Sequence, residues 1–360
     1  VGVSYSLALG PFHPAWLGPQ RFILHIADDR VVDVEYQNGF NERGCAERLP
    51  RLPLPDALHL VARICGECSF AHSLAFCQAI EQVQRRKVGA RAALLRVAIA
   101  ELERTAAHLY TARAVLDAIG MEQRGAILGD FCQQSRDMLA LVTGGRISPP
   151  VCAPGGLLRD LTLVERQELM AMLPAMSADL YRFIDRLIDQ RFLLMRTVEV
   201  GVLPRAAAEQ FGVRGPLARA SGIRRDVRVD QPYAAYGMLD VQPIIQEGGD
   251  MYARLLLLLL EAYEGVKLVE SALQRLPEED PIVDLLHELP RGQASSVVEG
   301  PRGAIRYTLE SDGVRLTRVQ IDTPRQCDRL LARTLLSRAQ LDDVMAILAS
   351  LAVCVACAEQ

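Results

Sequence analysis

The sequence contains no apolar run long enough to cross a bilayer. Its longest uninterrupted aliphatic stretch, Leu255 to Leu260, is six residues long and is closed by Arg254 and Glu261, against the roughly 20 that a membrane helix needs. It reads as part of a buried helix. No basic region followed by a long apolar segment opens the chain, so no secretory peptide is legible and the reducing cytoplasm is the expected compartment. Basic blocks are also missing, and lysine is confined to Lys87 and Lys267. With a net charge of -4 and a pI near 6.0, general attraction to nucleic acid or anionic lipid is excluded. Internal repeats and low-complexity linkers are absent, which leaves one domain over residues 1 to 360 as the expectation.

What the chain does have is apolar material and thiols. At 360 residues and 50% hydrophobic content it can bury a large core and needs no structural metal to fold. Its nine cysteines are an odd number with no secretory context, which argues against a disulfide framework. Four of them form two Cys-x-x-Cys pairs: Cys65-Gly66-Glu67-Cys68, and Cys354-Val355-Ala356-Cys357 near the other end. The first pair sits where irregular sequence turns into an apolar-periodic helix. There two thiols would share one face of the first turn, and aligned backbone N–H groups favour the thiolate. His72 follows Cys68 at helical i+4 spacing and can hydrogen-bond a metal-bound sulfur. Either pair alone is as readily two small buried hydrophobes, and four thiolates can also hold structural zinc.

The rest of the chain predicts mainly α structure (α+β): a long-helix bundle core with small peripheral β-sheets, and a metal site buried between helices. Residues 1–50 read as a β-rich part, 59–290 as the helical core, 295–322 as a small β part, and 325–360 as C-terminal helices with the second thiol pair. Within the first part, Phe22, Leu24 and Ile26 alternate, then Val32, Val34 and Tyr36, around an Asp28-Asp29 turn. Gly10-Pro11-Phe12-His13-Pro14 before them reads as a rigid turn with His13 structural. Helices are predicted over 59–84, 90–119 and 123–142, the last two stopped by Gly120 and Gly144-Gly145, and over 162–196 and 249–275. Glu103, Arg104 and His108 are expected to form one buried polar packing network. A Pro-Gly loop runs over 149–156, and residues 215–228 are glycine-rich and irregular, the kind of segment that carries function.

Taken together these segments resemble the large subunit of nickel-iron hydrogenases, and more closely its membrane-associated, energy-converting branch related to the 49 kDa subunit of respiratory complex I. The resemblance rests on Gly10-Pro11-x-His13-Pro14, Glu42-Arg43-Gly44, Arg63-x-Cys65-Gly66-x-Cys68-x-x-x-His72, Gly144-x-Arg146, Pro154-Gly155-Gly156, Gly215-Pro216 through Arg228, Glu247 through Arg254, Glu299 through Gly303 and the final Cys-x-x-Cys. It implies that Cys65 and Cys354 are terminal nickel thiolates and that Cys68 and Cys357 bridge nickel to an iron carrying carbon monoxide and cyanide. It further implies that Cys354 takes the proton when dihydrogen is split, that Arg302 hangs over the metals, and that His72 supports a sulfur. The implied partners are an iron-sulfur small subunit holding iron-sulfur clusters, membrane ion-pumping subunits and hydrogenase maturation proteins, with the chain peripheral on the inner face of the cell membrane.

Three departures accompany the resemblance. Ala352-Val353 stands where the family has Asp-Pro, so the carboxylate that should pair with the arginine over the metals is missing. The family's Arg-Gly-x-Glu becomes Arg43-Gly44-Cys45-Ala46-Glu47, one residue longer, which moves the proton-relay glutamate to Glu47 or leaves Ala46 in its place. The sequence stops three residues after Cys357, which matches branches without an extension for proteolytic removal, or a mature chain. A catalytic hydrogenase subunit is therefore expected, with a complex I-like coupling subunit whose metal site is lost or altered as the competing expectation.

Overall fold

The computed structural model describes residues 4–13, 17–147, 150–278, 280–283, 289–324 and 327–359. Pro14, Pro149 and Arg325, on which the expected turn, loop and helix boundaries fell, lie outside them. The chain opens with an antiparallel sheet of β1 (Ser4–Leu9), β2 (Arg21–Ala27) and β3 (Arg30–Gln37) in the order β1-β2-β3. Phe22, Leu24 and Ile26 alternate inward as predicted, and Asp28 and Asp29 both take the positive φ of a tight hairpin turn, a conformation that Asp tolerates better than most residues. Val32 is corrected: it is exposed, while Val31 and Val34 are buried. The pairing slips between His25 and Ile26, so one extra residue of β3 opposes β2 there and the alternation changes face.

The short helices α1 (Cys45–Arg48) and α2 (Leu54–Val61) lead to a bundle of α3 (Ser69–Gln84), α4 (Ala90–Ala118) and α5 (Glu122–Thr143). The predicted helix over 59–84 is thus interrupted by a turn over 62–68. Helix α4 is buried around nearly its whole circumference because α5 and a later helix flank it. Gly120 and Gly144 end α4 and α5 at positive φ, as their positions predicted. After the two-residue strands β4 (Cys152–Ala153) and β5 (Gly156–Leu157), a capping box of Thr162 and Glu165 starts α6 (Leu163–Ile188). The expected helix over 162–196 breaks at Asp189, where Gln190 becomes extended and caps a separate α7 (Arg191–Thr197).

The glycine-rich segment carries α8 (Arg205–Gln210) and two helices of about one turn, α9 (Gly215–Arg219) and α10 (Val227–Asp230). Helix α11 (Met251–Gln274), capped by Asp250, packs on α4 and α6 and contains the Leu255 to Leu260 run. A second antiparallel sheet follows, β6 (Gly292–Gly300), β7 (Gly303–Ser311) and β8 (Leu316–Asp322), and lies against α3. Helices α12 (Arg329–Leu336) and α13 (Leu341–Ser350) pack beside the first sheet, and α14 (Val355–Ala358) closes the described chain. The predicted class holds: a helical core with small antiparallel sheets at its edges. No helix among the described residues is long and apolar enough to cross a membrane.

Candidate metal centre

The first thiol pair lies on the turn that opens a helix and not, as predicted, within that helix's first turn, whereas the second begins just before a short helix that contains Cys357. Cys68 is the residue before α3 and Cys354 the residue before α14. The structure brings all four together. Cys65 Sγ lies 3.4 Å from Cys354 Sγ, and Cys68 Sγ 2.7 Å from Cys357 Sγ. The sulfurs of Cys65, Cys68 and Cys357 fall within 4.8 Å of one another, and all four residues are buried.

Several contacts tie the distant chain ends together here. Leu17 bridges Cys354 in parallel, its carbonyl accepting from Val355 N at 3.1 Å. Arg43 donates from Nη2 to the carbonyls of Ile64 at 2.7 Å and Ala356 at 2.9 Å, one from each thiol turn. Thr323 Oγ1 donates to the Cys357 carbonyl at 2.7 Å. Sequence reasoning quoted Arg43 within a motif but assigned it no role. Its targets are main-chain carbonyls that the sequence does not mark.

Buried thiols this close share protons instead of ionising together. Hydrogen bonds with Cys354, Cys357 and Cys68 hold Cys65 well below the ordinary thiol range. Burial pushes Cys68 well above it, and hydrogen bonds with the other three sulfurs raise Cys357 in the same way. Such a donor set fits a soft metal, whose charge replaces the shared protons.

Two further predicted residues face the sulfurs. His72 Nε2 lies 3.5 Å from Cys357 Sγ, and its Nδ1 lies 2.8 Å from Tyr307 Oη. Burial lowers His72 to about 4, so the ring is neutral. Tyr307 is pushed well above its ordinary range by burial and keeps its proton. With Tyr307 donating to Nδ1, the Nε2–H points at the sulfur. The sulfur reached is that of Cys357 and not of Cys68, since His72 follows Cys68 on the helix but leans toward α14.

Arg302 sits in the two-residue turn between β6 and β7, and its Nε donates to the Ala352 carbonyl at 2.7 Å. Burial alone would lower it, but Cys354, Cys65, Cys68 and Cys357 outweigh that and raise it. The turn can sit this deep because Gly215, at φ 63, faces it: a Cβ there would lie 2.4 Å from the Arg302 carbonyl oxygen.

Glu47 is not brought to the cluster. It is exposed on α1, and no described hydrogen bond or ion pair joins it to the sulfurs. The carboxylate that does lie behind them is Glu103, whose Oε1 accepts from Phe70 N at 2.6 Å and whose Oε2 accepts from Ala71 N at 3.0 Å. Burial raises Glu103 to about 8 despite these two donors. Together with Glu67, Arg136 and Arg146 it lines a cavity of about 40 Å³. The expected Glu103-Arg104-His108 network is corrected accordingly. Successive helical residues point about 100° apart, so Glu103 faces α3 while Arg104 and His108 both reach Glu261 on α11.

A family model described as the respiratory-chain NADH dehydrogenase, 49 Kd subunit, matches residues 132–287 and 282–360, a span that holds Arg302 and the second thiol pair. A carbon monoxide-induced hydrogenase of Rhodospirillum rubrum is 27% identical, covering 99% of each chain. An NADH-quinone oxidoreductase subunit of Sinorhizobium medicae is 29% identical over 96% of this chain and 93% of its own. The membrane-bound hydrogenase subunit alpha of Pyrococcus furiosus is 27% identical over 99% of this chain and 87% of its own. Among solved structures, a chain of the membrane-bound sulfane sulfur reductase, an archaeal respiratory membrane complex, superposes with a TM-score of 0.92 at 26% identity, covering 99% of this chain and 98% of that one. The chain therefore belongs to the 49 Kd subunit family of the respiratory-chain NADH dehydrogenase, and over nearly its whole length it is also similar in sequence to hydrogenase subunits.

Proposed function

We propose that this chain is the hydrogenase-like large subunit of an energy-converting membrane oxidoreductase complex, and that Cys65, Cys68, Cys354 and Cys357 hold a nickel-iron centre interconverting dihydrogen with protons and electrons. The observation that carries this reading is the convergence of the four cysteines, from opposite ends of the chain, into one buried group. Thiolates suit nickel and low-valent iron, and such a centre, when bound, supplies the heterolytic cleavage of dihydrogen. The chain's own part is to hold and move charge. Cys354, beside Arg302, takes the proton at Sγ. Arg302 offsets the sulfurs' negative charge, and His72 with Tyr307 orients Cys357. Electrons leave to an iron-sulfur partner subunit, with the chain peripheral to the membrane through partners.

Glu103 takes the relay role in place of Glu47, because a group near 8 both accepts and releases protons around neutral pH. Glu103→Gln is expected to slow hydrogen isotope exchange about 100-fold with metal content unchanged. The same change has a stability signature. Glu103 is raised from its ordinary 4.5 to about 8 in the fold, so its contribution is full below about 4.5 and is lost as pH rises through about 8. The Gln variant should lack that loss in a denaturant series run across this window.

A second reading is a complex I-like coupling subunit that turns over no hydrogen. The NADH-quinone oxidoreductase relatives and the absence of a carboxylate at Ala352 favour it. The discriminating experiment is nickel, iron and zinc content of the protein purified anaerobically with its natural partners, together with hydrogen–deuterium exchange. About one nickel per chain with exchange activity supports the hydrogenase reading. Metal-free cysteines after intact maturation support the coupling role, and stoichiometric zinc makes the cysteines structural.

A further inference from the structure

Beside the sulfur cluster, on the far side of Arg302, lies a cavity of about 20 Å³ lined by Arg302, Arg254, Ser350, Ala352, Leu258 and Arg214, among others. It has room for a species about the size of a water molecule. Two guanidinium groups meet there, at 2% exposure for Arg254 and 6% for Arg302. Arg254 Nη2 and both Arg302 Nη1 and Nη2 are buried without a hydrogen-bond partner among the described residues.

Arg254 is the more exceptional of the two. Its Nε donates to Ser350 Oγ at 2.9 Å, and its Nη1 donates to the carbonyls of Gly201 at 2.9 Å and Gly249 at 2.8 Å. Every one of these acceptors is neutral. Asp250, the nearest acid in sequence, spends its carboxylate on Ala253 N at 2.8 Å and Glu199 N at 2.9 Å. Burial accordingly lowers Arg254 to about 10, with only partial relief from Asp250. A buried cation without a hydrogen-bonded counter-charge is costly, and Arg302 adds a second charge to the same cavity.

We infer that the cavity between Arg254 and Arg302 binds a single small inorganic anion, of halide size, which supplies the negative charge that Ala352 does not. Nη groups of both arginines donate to it, and Ser350 and Leu258 close the site on the protein side. Arg214, which is exposed, marks the side from which it enters. A water molecule fits the volume but leaves the Arg254 guanidinium without a counter-charge. The site is built from protein groups alone, so it stands whether or not the cysteines hold nickel and iron.

The backbone at Ala352 makes the test direct. Ala352 has φ 54, a left-handed conformation in which Asp is far more common than Ala. Ala352→Asp therefore installs a tethered carboxylate at the cavity wall without new backbone strain. Crystals of the anaerobic complex soaked in bromide are expected to show an anomalous peak between Arg254 and Arg302. In solution, Tm should climb by roughly 2 °C per tenfold of chloride above Kd when chloride replaces gluconate at constant ionic strength. The Ala352→Asp protein should lose the bromide peak and the chloride dependence. Arg254→Met should lose both as well, which covers the case in which the aspartate variant does not assemble. No bromide peak in the unmodified protein, a peak without chloride dependence of Tm, or a peak retained in both variants would overturn the site.

Discussion

Replacing Cys65 by serine is expected to abolish nickel retention, and hydrogen turnover with it, while the protein remains folded. The two side chains differ by one atom, so the volume of the turn is conserved and the packing around Ile64 and Ser69 has no reason to collapse. The chemistry does change. Serine's hydroxyl does not ionise near neutral pH and presents a hard oxygen to metals that prefer thiolate. Cys65 is also the sulfur that hydrogen bonds with the other three hold well below the ordinary thiol range, so its loss removes a thiolate that the cluster favours. Losing it removes the contact to Cys354 Sγ and leaves a three-sulfur set. The measurement is nickel and iron per chain on the anaerobic complex, alongside isotope exchange and a thermal melt. A folded Cys65→Ser protein that keeps both nickel and activity would remove the metal role from this cysteine and sink the reading built on it.

Much of this site was legible because its signals are short. A Cys-x-x-Cys pair with His at i+4 from its second cysteine is visible in eight residues, Cys65 to His72. Gly120 and Gly144 mark helix ends wherever the chain is read. What was not legible depends on contacts across the chain or on a small change of direction. Arg43 acts on the carbonyls of Ile64 and Ala356, and any residue type offers a carbonyl. Glu103 and Arg104 are neighbours in sequence, and only the placement of α3 and α11 on opposite flanks of α4 separates their roles. The β3 bulge turns Val32 outward although the local pattern of Val32, Val34 and Tyr36 is regular. Glu47 was named by its offset from Arg43 in a motif, but the exposed α1 does not bring that offset to the sulfurs.

Glu261→Ala is expected to be the most destabilising single change outside the sulfur cluster, at about 3–5 kcal/mol. Glu261 Oε1 accepts from Arg219 Nε at 2.5 Å, and its Oε2 accepts from Arg219 Nη2 at 3.0 Å, Arg104 Nη1 at 3.2 Å and His108 Nε2 at 2.9 Å. These groups are essentially fully buried. Burial would raise Glu261, but Arg219, the His108 hydrogen bond and Arg104 outweigh it and hold the carboxylate well below its ordinary range. The sign follows: its contribution is present above the unfolded carboxylate value and is lost as pH falls through the lower folded one. Alanine leaves Arg104 and Arg219 short of a counter-charge where water cannot reach them. The neighbouring acids compensate poorly, because Asp226 is already paired with Arg228 at 2.7 Å and burial pushes Glu299 and Glu264 toward their protonated forms. The consequence extends to the site. Arg219 also donates to Glu299 on β6 at 2.8 Å, and β6 ends at the turn that carries Arg302 against Gly215. Loosening Arg219 therefore loosens the support under Arg302. Urea unfolding of the Glu261→Ala and Glu261→Gln proteins measures the first effect. A loss below about 1 kcal/mol in both, against the range expected for breaking a buried pair, would mean that Glu101, whose Oε2 lies 3.4 Å from Arg104 Nε, suffices with Asp226 and Glu299 to neutralise the arginines, and that the Arg302 turn is held by its own contacts with Ala352 and Gly215.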